Sequence, residues 1–351
     1  IWFCLVGSEM CIRDRYIGWK KMTNNIYLKT NLELIEYLNS RFSDESLFII
    51  DSNLNNLKID EQVNAQVSYF DINEETKNLT SVEKIWDLLF QYNLNRSSEI
   101  VIIGGGVLLD VCAFASSTFK RGVSFTFVPS TLLSMVDASH GGKNGFNNKY
   151  GKNQIGTFTL PESVIVCYQL LDTLPEDHYK DGLIELIKHG MIANAKIFNS
   201  MITKTSFNVD FEIIREGIDV KLKIVSEDFL EGNKRKLLNF GHTVGHLVEK
   251  DSNYEITHGQ AVAIGIYYEL LISKEQLGLP KEIIDSYLNY LNQIEYEYEY
   301  NFLSNSEKLI EMLKHDKKSN AKGVDIVLLY EIGNPKVINL TFNEVIEVIQ
   351  H

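Results

Sequence analysis

The stretch LLNFGHTVGHLVEK, residues 237–250, places His242 and His246 four positions apart, each directly after a glycine. A third imidazole, His258, follows in ITHGQAVAIG, so three of the chain's eight histidines fall within residues 242–258. Imidazole nitrogens ligate divalent cations and move protons near neutral pH. Residues four apart share one helical face and so can address one cavity. Upstream, IELIKHG adds Glu185 and Lys188 three apart, again on one face. A zinc-type catalytic ion takes nitrogen and carboxylate ligands and keeps a position open for substrate. Glu185 with two of the three histidines meets that requirement. Spacing alone leaves the pair open, with the HxxxH pattern favouring His242 and His246, and ordinary hydrogen-bonded core histidines are the plain alternative. Glycine inside a helix costs about 1 kcal/mol relative to alanine. Gly241 and Gly245 therefore suggest close approach of a backbone or a ligand.

Other segments carry chemistry suited to anions. EIVIIGGGVLLDVCAFASSTF reads as strand, glycine turn and helix, an arrangement in which backbone N–H groups and a helix N-terminus can receive a phosphate. Gly104 and Gly106 fit the first two glycines of G-x-G-x-x-G, Leu109 takes the place of the third, and Asp110 follows near the helix start. Residues 128–158 hold Asp137, Lys143, Lys152 and Asn153 among five glycines. VKLKIVSED supplies Lys221, and KRKLLNFGH supplies Arg235 and Asn239. Each taken singly reads as a tight turn or a solvated charge, but their repeated coincidence with glycines, histidines and carboxylates favours a site for an anionic ligand.

These residues need elements to hold them. From Met22 to about residue 160, the strand-like runs NIYLKT, LFIID, QVSYFDI, EIVIIGG and SFTFVPS alternate with the helical patterns LELIEYLNSRF and SVEKIWDLLFQYNL. That alternation predicts an α/β domain with a largely parallel sheet over residues 22–175. After PESVIVCYQLLDTLP, DGLIELIKHGMI, EIIREGIDVKLKIVSEDFL, LLNFGHTVGHLVEK, GQAVAIGIYYELLISKEQLG, KEIIDSYLNYLNQI and SEKLIEMLKHD predict a mainly helical domain over residues 176–351. One late strand is expected, in VDIVLLYEIG. The first 21 residues, including CLVGSEMCIRDR, resemble translated sequencing-adapter text and are expected to be a non-native or disordered leader, with Met22 as the native start.

The 351 residues are 44% hydrophobic with a net charge of −13, enough apolar material for two cores. The acidic balance argues against nucleic acid as a partner, because such affinity comes from basic side chains on phosphates. No run is long and apolar enough to be expected in a membrane. Cys4, Cys11, Cys112 and Cys167 form no CxxC pair, which points to a reducing cytoplasm.

GGGVLLDVCAFASSTFKRG, PSTLLSMVDASHGGKNGFNN, GKNQIGTF, ELIKHG, LLNFGHTVGH and HGQAVAIG stand in an order and spacing that resemble the 3-dehydroquinate synthase family. The likeness runs from about residue 50 to the DKK at 316–318. That family sits among the sugar-phosphate cyclases and shares its fold with iron-dependent alcohol and glycerol dehydrogenases. The resemblance implies an N-terminal NAD-binding domain, a C-terminal metal- and substrate-binding domain, and conversion of 3-deoxy-D-arabino-heptulosonate 7-phosphate to 3-dehydroquinate and phosphate. It implies Glu185, His242 and His258 as ligands of one divalent ion, zinc or cobalt, with His246 facing substrate. It implies Lys143, Asn153, Lys188, Lys221, Arg235, Asn239 and Lys318 as substrate-binding groups, with Arg121 reaching across a homodimer. For NAD it implies Glu74, Lys77, the run Gly105, Gly106, Val107, Leu108, Leu109 and Asp110, then Ser130, Thr131, Lys143, Lys152 and Thr173, with Asp137 between NAD and substrate. Departures from the family pattern are Leu109 for glycine, His140 for a small aliphatic residue, Asn144 for threonine, and Gln260 for glutamate. The rival readings are an NAD- and metal-dependent polyol dehydrogenase, another sugar-phosphate cyclase, and a non-catalytic NAD- or sugar-phosphate-binding protein.

Overall fold

The computed structural model describes residues 23–204, 208–302, 305–314 and 323–350. The expected leader and Lys318 lie outside the described residues. Six parallel strands form the first sheet: β1 (Asn24–Leu28), β2 (Leu47–Asp51), β3 (Gln66–Phe70), β4 (Glu99–Gly104), β5 (Ser124–Pro129) and β8 (Ser163–Cys167), in the order β1-β8-β5-β4-β2-β3. Strands β2 and β4, LFIID and EIVIIG, are almost continuously apolar and buried, as expected where a parallel sheet is covered on both faces. Helices α1 (Asn31–Arg41), α2 (Leu79–Gln91) and α3 (Gly106–Thr118) cross between them, followed by the short α4 (Leu132–Val136). The parallel-sheet α/β arrangement expected from the sequence is present.

Residues 143–158, read from the sequence as a glycine-rich ligand loop or a solvated one, form the antiparallel hairpin β6 (Lys143–Asn148) and β7 (Gly151–Phe158). Gly145 and Gly156 face each other there, and a Cβ on either would lie 2.4 or 2.2 Å from the opposite backbone oxygen. Strand β8 also went unmarked in the sequence, because SVIVC runs straight into the apolar YQLLDT.

The rest is mainly helical: α5 (Glu176–Ala193), α6 (Ala195–Thr203), α7 (Phe211–Glu227), α8 (His242–Asp251), α9 (His258–Leu277), α10 (Lys281–Gln293), α11 (Ser306–Lys314) and α12 (Phe342–Gln350). The single late strand expected is instead half of an antiparallel pair, β9 (Val324–Glu331) with β10 (Asn334–Leu340). The LLNFGH segment is not one helix with α8. Residues Lys234–Asn239 make a 3-10 turn, Gly241 takes φ +80°, and α8 begins at His242.

Candidate active site

Two helix termini and one helix interior build the centre of the site. His242 opens α8, His258 opens α9, and Glu185 lies within the buried α5. Helix α8 is held by Glu269 of α9, whose buried carboxylate accepts from the backbone N–H groups of Gly241 (2.7 Å), Thr243 (3.0 Å) and Val244 (3.2 Å). A carboxylate is well suited to this place, since helix N-termini leave unpaired donors and carry partial positive charge. Helix α9 is held by its N-cap Thr257, which accepts from the Gln260 N–H and donates to Asp181 of α5 at 2.9 Å. Glu185 is thereby fixed relative to both imidazoles.

One ligating atom each from Glu185, His242 and His258 lies within 4.8 Å of the others. His242 Nε2 is 3.6 Å from Glu185 Oε1, while its Nδ1 lies 3.2 Å from the Phe240 carbonyl, which orients the ring with Nε2 toward the carboxylate. Both Glu185 oxygens are buried without a hydrogen bond among the described residues, although Oε2 lies against the Lys188 ammonium. A buried carboxylate left in this way suits a cation, and two imidazoles plus one carboxylate is a donor set for zinc or a related divalent ion. His246 stays outside this group, with its ring centroid 5.7 Å from that of His242. A second triplet, Asp137, Glu185 and His189, is similarly compact. There Asp137 is already paired with the buried Lys221 ammonium, whose charge disfavours a cation beside it.

Beside this centre lies a cluster of buried, positively charged side chains. Lys188, Lys221 and Arg235 are all buried, and Lys221 pairs with Asp137. Burial would raise the Asp137 carboxyl, but the charges of Lys221, Lys188 and His189 outweigh it and hold the group well below its ordinary range. Burial also pulls the Lys221 ammonium down, with Lys188 and Arg235 adding to that and Asp137 opposing it. Arg235 donates to the Phe229 carbonyl at 2.6 Å. Gly141 makes room for it, since a Cβ there would stand 2.7 Å from its Nη2. Lys143, at the start of β6, pairs with Glu231, and Asn239 donates to the same carboxylate at 3.2 Å. Glu231 is a member that sequence reasoning missed, and its loop position carried no pattern to mark it. Asn153 lies on β7 with φ +52°, its N–H donating to Asn147 Oδ1 at 2.9 Å.

The glycine turn lies at the end of β4. Gly105 caps α3 without a side chain, and a Cβ there would meet the Thr131 methyl at 3.3 Å. The Leu108 and Leu109 side chains go into the core, each 1% exposed, so only their backbone is near the helix N-terminus. Leu109 therefore departs from glycine without filling the turn. Val107 is half-buried beside it. Lys77 is buried and pairs with Asp110 at 2.6 Å, and Glu74 accepts from Asn147 at 2.7 Å. Ser130 donates its N–H to the Gly104 carbonyl at 3.0 Å, and Thr131 caps α4. Thr173 spends its hydroxyl on the Leu170 carbonyl at 2.9 Å. Lys152, on β7, pairs with the buried Glu249 of α8 at 3.2 Å. Arg121 is not brought into this cluster. It is exposed after the C-terminal end of α3, about 20 Å along the 13-residue helix from the turn.

Two family profiles match the chain, 3-dehydroquinate synthase N-terminal over residues 68–181 and 3-dehydroquinate synthase C-terminal over residues 182–319. The 3-dehydroquinate synthase of Pelagibacter ubique is 37% identical over 338 residues, covering 92% of this chain and 91% of that protein. That of Staphylococcus carnosus is 38% identical over 288 residues, covering 78% and 77%. Among solved structures, 2-epi-5-epi-valiolone synthase from Streptomyces hygroscopicus subsp. jinggangensis, with NAD+ and Zn2+ bound, superposes with a TM-score of 0.83 at 21% identity, covering 94% of this chain and 96% of that one. A 2-deoxy-scyllo-inosose synthase complexed with carbaglucose-6-phosphate, NAD+ and Co2+ gives 0.82 at 24% identity, with 94% and 97% coverage. A probable glycerol dehydrogenase from Sinorhizobium meliloti gives 0.64 at 12% identity, with 93% and 95% coverage. These structural likenesses establish the fold.

Proposed function

The chain belongs to the 3-dehydroquinate synthase family, and from that premise we propose that this site converts 3-deoxy-D-arabino-heptulosonate 7-phosphate to 3-dehydroquinate and phosphate. The observation that carries the reading is the compact Glu185, His242 and His258 group set beside the buried, positively charged Lys188, Lys221 and Arg235 in an acidic protein. We further propose that these three residues hold one zinc or cobalt ion and that the glycine turn with Lys77, Asp110 and Lys152 holds NAD.

When bound, the ion supplies Lewis acidity at a hydroxyl. NAD supplies a reversible two-electron oxidation, which makes a neighbouring C–H acidic enough for phosphate to leave. The protein's own groups do the rest. Lys143, Lys188, Lys221, Arg235, Asn153 and Asn239 receive the substrate's carboxylate and phosphate, where charge-assisted hydrogen bonds are strongest. Asp137 keeps Lys221 aligned between the cofactor and substrate sides. His246, one helical turn beyond His242, faces substrate and moves a proton there. The buried walls around Lys188 and Arg235 exclude water from the reacting carbons. A division near residue 175, a homodimer with Arg121 serving the partner's site, and a cytoplasmic setting complete the proposal.

One assay tests the reaction: the heptulosonate phosphate is incubated with substoichiometric NAD, and phosphate, dehydroquinate and NADH are followed. Phosphate and dehydroquinate without net NADH are expected. Stoichiometric NADH would instead indicate a polyol dehydrogenase, and no turnover would indicate a binding protein. Elemental analysis tests the ligands. His242→Ala and His258→Ala should lose the ion, whereas His246→Ala should retain it and lose most turnover. Loss of the ion from His246→Ala with retention by His258→Ala would make the HxxxH pair the ligand set.

A further inference from the structure

Glu249 lies on α8, three residues after His246, and its side chain is only 7% exposed. One oxygen, Oε1, faces two partners from different parts of the chain: His258 Nδ1 at 3.4 Å and Lys152 Nζ at 3.2 Å. Lys152 comes from the β6–β7 hairpin, and its ammonium also lies 4.5 Å from the centre of the Tyr254 ring. The carboxylate therefore joins the hairpin, α8 and the start of α9 at one atom.

We infer that Glu249 is a positioning residue, anchoring with one carboxylate oxygen both the ligand His258 and the cofactor-side Lys152. The inference rests on the proposed roles of those two residues. A ligating histidine that donates its other ring N–H to a carboxylate has its tautomer and ring orientation set by that bond. With Nδ1 engaged by Glu249, His258 presents Nε2 to the Glu185–His242 side. The same negative charge holds the Lys152 ammonium, so the hairpin and the metal ligand share one tether.

The test uses the full chain, with zinc retention measured by chelator competition and NAD affinity by calorimetric titration. Glu249→Gln keeps the shape and removes the charge. It should weaken zinc retention by about 10- to 100-fold, the usual effect of losing such a partner. It should also weaken NAD binding by up to about five-fold, the worth of one partly exposed ion pair, while circular dichroism and cooperative melting stay unchanged. Lys152→Met should weaken NAD by a comparable factor, and the double variant should bind NAD no worse than either alone. Glu249→Asp, a milder change that guards against misfolding, should show smaller losses of both kinds. Zinc retention at wild-type strength in Glu249→Gln, or zinc loss with unchanged NAD affinity, overturns the shared anchor. If His258→Ala also keeps zinc, the ligand reading itself has failed. If His258→Ala loses zinc while Glu249→Gln does not, that reading stands and this one falls.

Discussion

His140 is fully buried, its Nε2 2.8 Å from the Met135 carbonyl and its Nδ1 without a hydrogen-bond partner among the described residues. Burial, helped by the charge of Lys221 and opposed by Met135 and Asp137, pulls its pKa from 6.5 to about 4. The folded value is the depressed one, so between pH 4 and 6.5 the unfolded chain binds the extra proton. The stability tied to neutral His140 is complete above 6.5 and falls as pH drops toward 4. At pH 5 the loss relative to pH 7 is about 2 kcal/mol. Urea melts at the two pH values should show that loss on top of other titrations, and His140→Leu should flatten the dependence by the same amount. An unchanged slope in His140→Leu would remove His140 as its source. His140 was visible in the sequence as a departure from the family pattern. That it is buried with one nitrogen unsatisfied was not, because burial depends on what packs around it.

The pairing of α8 with α9 decides whether His242 and His258 meet. A Cβ on Gly265 of α9 would stand 1.8 Å from the Gly241 oxygen and 2.6 Å from the Gly245 nitrogen. Gly245 in turn would place a Cβ 3.0 Å from the Ala261 oxygen. The glycines flanking the histidines thus serve backbone approach between helices, and Gly241 additionally supplies the left-handed turn into α8. Gly265→Ala should cost about 3 kcal/mol, the upper part of the usual overpacking range, because only backbone lies in the way. On the proposed ligand set, it should also release the ion by separating the helix starts that carry His242 and His258. Thermal melts and elemental analysis read the two effects. Gly232→Ala is the control, since its Cβ would meet nothing closer than Asp228 at 3.7 Å, and it should stay within about 0.5 kcal/mol of the parent. Equal melting of both variants would contradict this account of the crossing.

Across the molecule, a net charge of −13 surrounds a cluster in which Lys188, Lys221 and Arg235 are all buried. Such concentration of positive charge is stable only with compensating carboxylates such as Asp137 and Glu185, and it favours a small anion over a polyanionic surface. Arg121 stands away from its own site at the far end of α3. A role at substrate therefore needs a second copy of the chain. Arg121→Ala should raise KM for the sugar phosphate while leaving NAD affinity nearly unchanged, and light scattering should report a dimer. A fully active monomer would overturn the cross-subunit role.

Local order made much of this legible. The buried runs LFIID and EIVIIG announced a parallel sheet, the glycines after β4 announced a strand-turn-helix, and three-residue spacing put Glu185 and Lys188 on one face. Those signals lie within a few residues of one another, where backbone geometry dictates what can meet. The 143–158 hairpin escaped because its glycines resemble a loop until the facing strand is known. Local pattern could not separate His258 from His246 as a candidate ligand. His246 is nearer in sequence to His242, yet the α8–α9 crossing brings His258 to within ligand range of both His242 and Glu185. Glu249 stood inside the quoted 237–250 stretch with nothing to mark its role, and Glu231 and Glu269 stood in no motif, since each acts on partners supplied by other segments of the chain. Contacts between distant segments follow from how whole elements pack, and only the tertiary structure decided them.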